Sequence, residues 1–107
     1  MKIVLLCYAG MSTSMVMNKM KAAAAAEGLD LEVAAASVSD LDDYKEGANA
    51  VLLGPQIRFA LDEVKEKVAG KIPVMAIDTR DYGMMRGDKI LKDTIKAIEE
   101  FNKSSLD

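Results

Sequence analysis

The stretch VLLCYAGMSTSM (residues 4–15) passes from a continuous apolar run into a helix-forming run, and it contains the only cysteine of the chain, Cys7. Residues 3–6 are all apolar, which is typical of a strand that is covered on both faces of a sheet. Residues 12–27 are rich in Met, Lys and Ala, which favour a helix, and Gly28 can end that helix in the left-handed conformation. A strand that leads directly into a helix predicts a βαβ unit and therefore an α/β fold.

The rest of the chain repeats this alternation of strand and helix. Residues 31–36, 50–53 and 72–77 predict three further strands, and residues 78–87 predict a loop. Right-handed crossovers join the parallel strands of such folds. We therefore predict a three-layer α/β sandwich with a four-stranded parallel sheet in the order 2-1-3-4.

The helices are predicted from apolar periodicity and from capping residues. Residues 39–47 predict a short helix, and Asp88 is a candidate N-cap for the last helix. The helix after strand three has an apolar stripe formed by Ile57, Leu61, Val64 and Val68. The buried stripe of the last helix consists of Leu91, Ile95 and Ile98. In the first helix, Met15, Met17 and Met20 are expected to fill the core.

Composition limits the classes of function. The chain has 107 residues, which predicts one domain over residues 1–107 with its core in about 1–103. A net charge of −3 argues against nucleic-acid binding, because binding to phosphates needs a basic face. The absence of histidine excludes a Ser-His-Asp triad and an imidazole metal site, and we expect neither a metal nor a cofactor. Without an apolar run of membrane-spanning length, we expect a cytoplasmic protein.

Cys7 is predicted to lie at the carboxyl end of strand one, beside the point where the strand order reverses. Sheets of this kind bind ligands at that point. The residues that follow lead into a helix whose first N–H groups lack partners and whose dipole attracts anions. These residues are Tyr8, Ala9, Gly10, Met11, Ser12, Thr13 and Ser14. This setting favours the thiolate over the thiol, so the pattern indicates phosphoryl chemistry at cysteine, although a lone cysteine after a strand is also typical of core packing.

A small cysteine phosphatase is one enzyme that such a loop can form. The low-molecular-weight protein tyrosine phosphatases share the expected topology and carry Cys, five residues and then Arg. In this chain Thr13 stands at the position of that arginine. Without the guanidinium clamp the loop is suited to hold a phosphoryl group rather than to hydrolyse it. A phosphatase or arsenate-reductase-like enzyme and a non-catalytic interaction domain stay open as alternatives.

Three segments carry a resemblance to a known family. LLCYAGMSTSMV near the start, VLLGPQI after strand three and IDTRDYG after strand four are similar to the enzyme IIB components of the lactose/cellobiose (chitobiose) family. These are parts of the bacterial phosphoenolpyruvate:sugar phosphotransferase system (PTS). The resemblance implies that Cys7 accepts a phosphoryl group from a phosphohistidine of the IIA component. It then passes this group to a cellobiose-, chitobiose- or lactose-type sugar that is bound in the membrane component IIC, so the protein would associate with the membrane through IIC.

The resemblance also implies the site residues. Tyr8, Ala9, Gly10, Met11, Ser12, Thr13 and Ser14 match the phosphate-binding loop. The second loop beside the site corresponds to Gly54, Pro55 and Gln56. The third corresponds to Asp78, Tyr82 and Gly83. The imidazole that the chain lacks would come from IIA.

Some residues at the same edge match no family motif. Arg58, Arg80 and Arg86 are either solvated charges or contacts to the phosphoryl group or a partner. Two neighbouring methionines, Met84 and Met85, either extend an apolar docking surface or pack within the loop. Asp78 and Asp81 are candidates for a general acid of the phosphatase kind, which the missing arginine disfavours.

Overall fold

Four parallel strands form one sheet in the part of the chain that the computed structural model describes, which is residues 1–7 and 13–105. The order is β2-β1-β3-β4, which confirms the predicted order. The strands are β1 (Lys2–Leu6), β2 (Glu32–Ala36), β3 (Ala50–Leu53) and β4 (Val74–Ala76). The fourth strand is shorter than the predicted 72–77.

Five α-helices and two 3-10 helices surround this sheet within the described ranges. The α-helices are α1 (Thr13–Ala26), α2 (Leu41–Tyr44), α3 (Leu61–Lys67), α4 (Thr79–Gly83) and α5 (Gly87–Ser105). The 3-10 helices span Val38–Asp40 and Pro55–Ala60. None of the described helices is long and apolar enough to cross a membrane.

Alternate side chains of the central strands belong to two different hydrophobic clusters, because successive side chains of a strand point to opposite faces. One cluster lies on the face covered by α1 and α5, and its strand residues include Ile3, Leu5, Ala50 and Leu52. The other lies on the face covered by α2 and α3, and it includes Val4, Leu6, Val51 and Leu53. Residues 3–6 of β1 and all of β3 are apolar and buried, since helices cover both faces of the sheet, as the three-layer prediction requires.

The prediction of a loop over residues 78–87 is wrong, because this segment contains α4. Asp78 is the N-cap of this helix, and its Oδ1 accepts hydrogen bonds from the backbone N–H groups of Arg80 at 2.9 Å and Asp81 at 3.1 Å. The prediction that Asp88 caps the last helix is also wrong. α5 begins at Gly87, so Asp88 lies in its first turn.

Two helix predictions need smaller corrections. After β3 the chain first forms a 3-10 helix, in which Ile57 has a non-helical backbone, and only then α3. Ile57 is nevertheless buried, as the predicted stripe requires. In α1, Met20 is fully buried, but Met15 is 50% exposed, so Met15 does not fill the core.

Candidate functional site

The carboxyl ends of the four strands lie level, and Cys7 sits at the end of the central strand β1. Leu6 is opposite Ala36 of β2 and Leu53 of β3, and Leu53 is opposite Ala76 of β4. The Cys7 N–H extends the ladder by donating to the Ala36 carbonyl oxygen at 3.0 Å. The sheet therefore fixes the backbone of the cysteine.

Cys7 is half-buried at this edge. The alternation of β1 puts Cys7 on the same face as Ile3 and Leu5, which is the face that α1 and α5 cover. Of the predicted loop, Tyr8, Ala9, Gly10, Met11 and Ser12 lie outside the described residues. Thr13 begins α1, and Ser14 is exposed in the first turn of that helix.

The second predicted segment lies next to the end of β1. Gly54 is buried and its N–H donates to the Leu6 carbonyl oxygen at 3.0 Å, so Gly54 and Cys7 follow neighbouring strands at the same level. The Gly54 carbonyl accepts the N–H of Ile57 at 3.0 Å and so begins the 3-10 helix, with Pro55 in its first turn. Gln56 is exposed and is accessible to a ligand or a partner.

Tyr82 is the residue of the third segment that interacts with Cys7. It is only 9% exposed and belongs to the hydrophobic cluster under α1 and α5. Its hydroxyl is buried and has no hydrogen-bond partner among the described residues. Burial raises the pKa of Tyr82, and the negative charge of Cys7 raises it further. Tyr82 is thus a neutral phenol that interacts electrostatically with Cys7.

The other two residues of the third segment, Asp78 and Gly83, lie at the two ends of α4. Asp78 caps α4, as described above, and the hydrogen bond from the Asp81 N–H is the main reason why the pKa of Asp78 is lowered. Gly83 ends α4 and is exposed. Asp78 and Gly83 therefore shape the helix that carries Tyr82.

Asp81 is buried in an ion-pair network at the junction of α4 and α5. Lys89 Nζ lies 2.9 Å from Asp81 Oδ2 and 2.9 Å from Asp93 Oδ2, and a nitrogen of Arg86 lies 3.6 Å from Asp81 Oδ1. Hydrogen bonds with Asp81 and then Asp93 raise the pKa of Lys89 to about 12. The Asp81 carboxylate is buried and paired with two cations, so it is not accessible to a substrate in the way that a general acid must be.

Exposed apolar side chains surround the same edge of the sheet. Phe59, Met84 and Met15 are 74%, 60% and 50% exposed, and they follow β3, β4 and β1 respectively. Met85 is partly buried against the core, so only one of the two neighbouring methionines extends the surface. Sequence reasoning missed Phe59. The signal that could have found Phe59 is that this aromatic residue lies outside the apolar stripe predicted for the helix after strand three.

All three arginines of the chain follow β3 or β4 and thus belong to this edge. Arg58 and Arg80 are exposed. Arg86 donates to the sulfur of Met84 at 3.2 Å and pairs with Asp81. The edge therefore combines apolar and cationic side chains, which suits contact with an acidic partner surface.

Sequence reasoning also missed Ser37, which follows β2 beside the Cys7 backbone. The Ser37 hydroxyl donates to Asp40 Oδ2 at 3.0 Å, and it lies 3.0 Å from the hydroxyl of Ser39. The rule that ligands bind at the carboxyl ends of strands was the signal that could have found it. Among the residues that the structure describes, no group of three or more His, Cys, Asp or Glu side chains could hold a metal ion.

Comparison with known proteins shows the family. The family model described as "PTS system, Lactose/Cellobiose specific IIB subunit" matches residues 2–93. Two relatives from Lactococcus lactis, a galactose-specific and a cellobiose-specific PTS EIIB component, are each 47% identical to this chain over 96 residues, covering 83% of this chain and 88% of each relative. An oligo-beta-mannoside-specific EIIB component from Bacillus subtilis is 38% identical over 98 residues, covering 91% of this chain and 95% of the relative.

Solved structures show the same fold. The solution structure of a cellobiose-specific phosphotransferase IIB component from Borrelia burgdorferi superimposes with a TM-score of 0.77 at 36% identity, covering 94% of this chain and 93% of the other. The lactose-specific IIB domain from Streptococcus pneumoniae superimposes with a TM-score of 0.75 at 17% identity, covering 91% and 96%. At that identity the second likeness concerns the fold alone.

Proposed function

The chain belongs to the lactose/cellobiose-specific IIB family of the phosphotransferase system, and we propose that Cys7 is its phosphoryl acceptor. It is a phosphotransferase component. The observation that carries the proposal is the position of the only cysteine, half-buried at the carboxyl end of the central strand with a buried phenol in electrostatic reach. No other described side chain at this edge offers a comparable nucleophile.

The proposed reaction has two displacements at phosphorus. In the first, the Cys7 thiolate attacks the phosphorus of a phosphohistidine of IIA in line with the leaving nitrogen. The S–P bond forms, the N–P bond breaks, and the histidine keeps the electron pair. In the second, a hydroxyl of the sugar in IIC attacks the same phosphorus. The O–P bond forms and the S–P bond breaks, so that Cys7 leaves as the thiolate. The proton of the sugar hydroxyl passes to a base of the acceptor site.

The surroundings of Cys7 suit a carrier that works with partners. Backbone N–H groups before and within the first turn of α1, together with the loop Tyr8–Ser14, would hold the phosphoryl group in the proposed intermediate. Exposed Phe59, Met84 and Met15 give an apolar surface that a partner can bury, and Arg58 and Arg80 add positive charge at its rim. Burial of this edge during transfer would keep water away from the S–P bond.

We propose that the sugar is of the cellobiose, chitobiose or lactose type. The relatives are named for galactose, cellobiose and oligo-beta-mannosides, so related sequences serve several sugars. The transfer would take place in the cytoplasm, where IIA meets the inner side of the membrane component. The sugar itself would bind in IIC, and this chain would touch it only through the phosphoryl group.

Intact mass spectrometry tests the proposal. The wild type and Cys7→Ser are incubated with phosphoenolpyruvate, enzyme I, HPr and a panel of IIA proteins of the cellobiose and lactose type. One phosphoryl adduct on the wild type alone is the expected result, and an adduct on Cys7→Ser overturns the assignment. No adduct with any IIA, together with steady turnover of an aryl phosphate, would favour the phosphatase alternative. An unreactive thiol and no turnover would favour an interaction domain.

A further inference from the structure

Ser37 is the neighbour of Cys7 on the adjacent strand β2. Leu6 is opposite Ala36, and the Cys7 N–H donates to the Ala36 carbonyl oxygen at 3.0 Å. The backbone of Ser37 is extended, with φ −87° and ψ 164°, so β2 keeps its direction through this residue. Cys7 and Ser37 therefore form the next pair of the parallel register, and their Cα atoms lie about 5 Å apart, which is the spacing of neighbouring strands.

The side chains of Cys7 and Ser37 lie on the same face of the sheet, because successive side chains of a strand alternate between the two faces. Leu5, which precedes Cys7 on its face, belongs to the cluster under α1 and α5. Val33 belongs to the same cluster and shares its face of β2 with Ala35 and Ser37. Ala35 is exposed, so solvent reaches this face of β2 beside Ser37.

The two residues that flank Cys7 in the sheet differ in what they offer to a group on the sulfur. On the β3 side, Leu6 is opposite Leu53 and the Gly54 N–H donates to the Leu6 carbonyl oxygen at 3.0 Å, so Gly54 stands opposite Cys7. Gly54 has no side chain, whereas the hydroxyl of Ser37 is a hydrogen-bond donor. Of these two flanking residues, Ser37 is therefore the one that offers a side-chain donor.

The proton of the Ser37 hydroxyl can change its acceptor. The hydroxyl donates to Asp40 Oδ2 at 3.0 Å and lies 3.0 Å from the hydroxyl of Ser39. Asp40 and Ser39 are exposed, so water can replace Ser37 as their partner at little cost. A hydroxyl hydrogen rotates to suit its surroundings, and a phosphoryl group brings about two negative charges and strong acceptor oxygens.

We propose that Ser37 is a phosphate-binding residue: its hydroxyl releases Asp40 and donates to an oxygen of the phosphoryl group on Cys7. The hydroxyl keeps its proton and changes only its acceptor. This inference rests on the proposed function of Cys7, but the same geometry applies to any anionic group that is attached to the sulfur. Asp40 competes with that group for one proton, so Ser37 and Asp40 have opposite effects on it.

Alkylation of Cys7 by iodoacetate and by iodoacetamide tests the contact without a partner protein. In both reactions the thiolate forms an S–C bond and iodide leaves. Iodoacetate brings a carboxylate next to the sulfur, whereas iodoacetamide brings a neutral amide of similar size. The ratio of the two rates, measured by intact mass, therefore cancels changes in the ionisation or exposure of the thiol and reports contacts to the anionic group.

Ser37→Ala should lower the iodoacetate-to-iodoacetamide ratio by about three- to tenfold, because it removes a hydrogen bond to the anionic group. Asp40→Ala should raise the ratio, since it frees the Ser37 proton and removes a negative charge. The rise should be smaller when residue 37 is already alanine, because only the effect of the charge is then left.

Matched variants separate the hydroxyl from the packing around it. Ser37→Thr keeps the hydroxyl and should keep the wild-type ratio within about twofold, whereas Ser37→Val has the shape of threonine without the hydroxyl and should behave as Ser37→Ala. Ser39→Ala removes the exposed neighbouring hydroxyl and should leave the ratio unchanged. Ser37→Ala and Ser37→Val remove the hydroxyl in two ways, so the test stands if one of them fails to fold, which circular dichroism shows.

The same variants are then phosphorylated through IIA. Ser37→Ala and Ser37→Val should shift the equilibrium of the phosphoryl group from Cys7 towards the histidine of IIA by about three- to tenfold, and Ser37→Thr should not. Failure of the proposed function appears separately, as a wild type that takes no phosphoryl group while the alkylation ratio still falls in Ser37→Ala.

Four results overturn the role of Ser37. They are a wild-type alkylation ratio in folded Ser37→Ala or Ser37→Val, a Ser37→Thr variant that behaves as Ser37→Val, an equal rise for Asp40→Ala with serine and with alanine at residue 37, and a phosphorylated Ser37→Ala with the wild-type equilibrium. A loss of thermal stability with an unchanged ratio would show that Ser37 is only structural.

Discussion

Replacing Gly87 by alanine should force two packed helices apart. Gly87 begins α5 where this helix meets α1, and a Cβ atom at this position would lie 2.4 Å from the Lys19 carbonyl carbon and 2.6 Å from the Met20 amide nitrogen. Ordinary contacts begin at 3.4 Å, so the helices must separate by about 1 Å. The obstructing atoms belong to the backbone of a helix, and a change of rotamer does not relieve the clash.

The expected loss of stability is at the upper end of the range for overpacking, about 3 kcal/mol. Phosphorylation of Cys7 should also slow by about tenfold or more, because α1 begins six residues after Cys7 and a shift of about 1 Å is enough to misplace reacting groups. Urea unfolding followed by circular dichroism gives the free energy of unfolding, and the intact-mass assay gives the rate of phosphorylation.

Gly83→Ala is the control, because a Cβ atom at Gly83 meets nothing within 4 Å. This variant should keep the wild-type stability within about 0.5 kcal/mol. The reasoning is refuted if Gly87→Ala is as stable as Gly83→Ala. It is refuted equally if the stability falls while α1 and α5 keep their wild-type separation in a structure of the variant.

Three further predictions follow from burial and charge. Met20→Ala should lower the free energy of unfolding by about 2–5 kcal/mol and Met15→Ala by less than about 0.5 kcal/mol, which urea unfolding of both variants checks. The pKa of Asp78 is lowered in the folded protein, so its capping hydrogen bonds contribute stability above the unfolded-state pKa, and this contribution is lost as the pH falls through the lower folded-state value. The urea midpoint of the wild type should therefore fall more steeply in acid than that of Asp78→Asn. Equal slopes for the two proteins would contradict this. Cys7→Ser should lower the pKa of the Tyr82 phenol, because it removes the negative charge that raises it, although burial should keep that pKa above 10.0; ¹³C-tyrosine NMR measures this, and an unchanged titration would contradict the proximity.

The order of the sheet was predictable because the strands carry strong local signals. The apolar runs of β1 and β3 are buried on both faces, which requires that these two strands lie in the centre of the sheet rather than at its edges. α4 was missed because a helix of five residues is too short for apolar periodicity. Its start depends on one capping carboxylate, Asp78, and its position depends on the pairing of Asp81 with residues of α5, which is a tertiary contact.

The site was predictable to the extent that it follows from the sheet. The rule for parallel strands located Cys7 at the end of β1 without any contact information, whereas the segment after β3 came from the family resemblance. The resemblance supplied Tyr82, but its relation to Cys7 depends on the missed helix. The exposure of the Phe59 side chain and the burial of the Asp81 carboxylate could not be predicted, since both depend on tertiary packing.

The arrangement of charge around Cys7 favours a carrier over a hydrolase. A phosphatase of the same topology has an arginine at the position of Thr13, and the arginines of this chain are placed elsewhere. Arg86 pairs with Asp81 and Met84, and Arg58 and Arg80 are exposed to solvent. Tyr82, which interacts electrostatically with Cys7, is instead a neutral phenol, and its buried hydroxyl has no hydrogen-bond partner among the described residues. A neutral donor stabilises a phosphorylated sulfur less than a guanidinium does. The phosphoryl group would therefore keep a high tendency to transfer, and a partner that covers the exposed apolar edge would decide whether a sugar or water receives it.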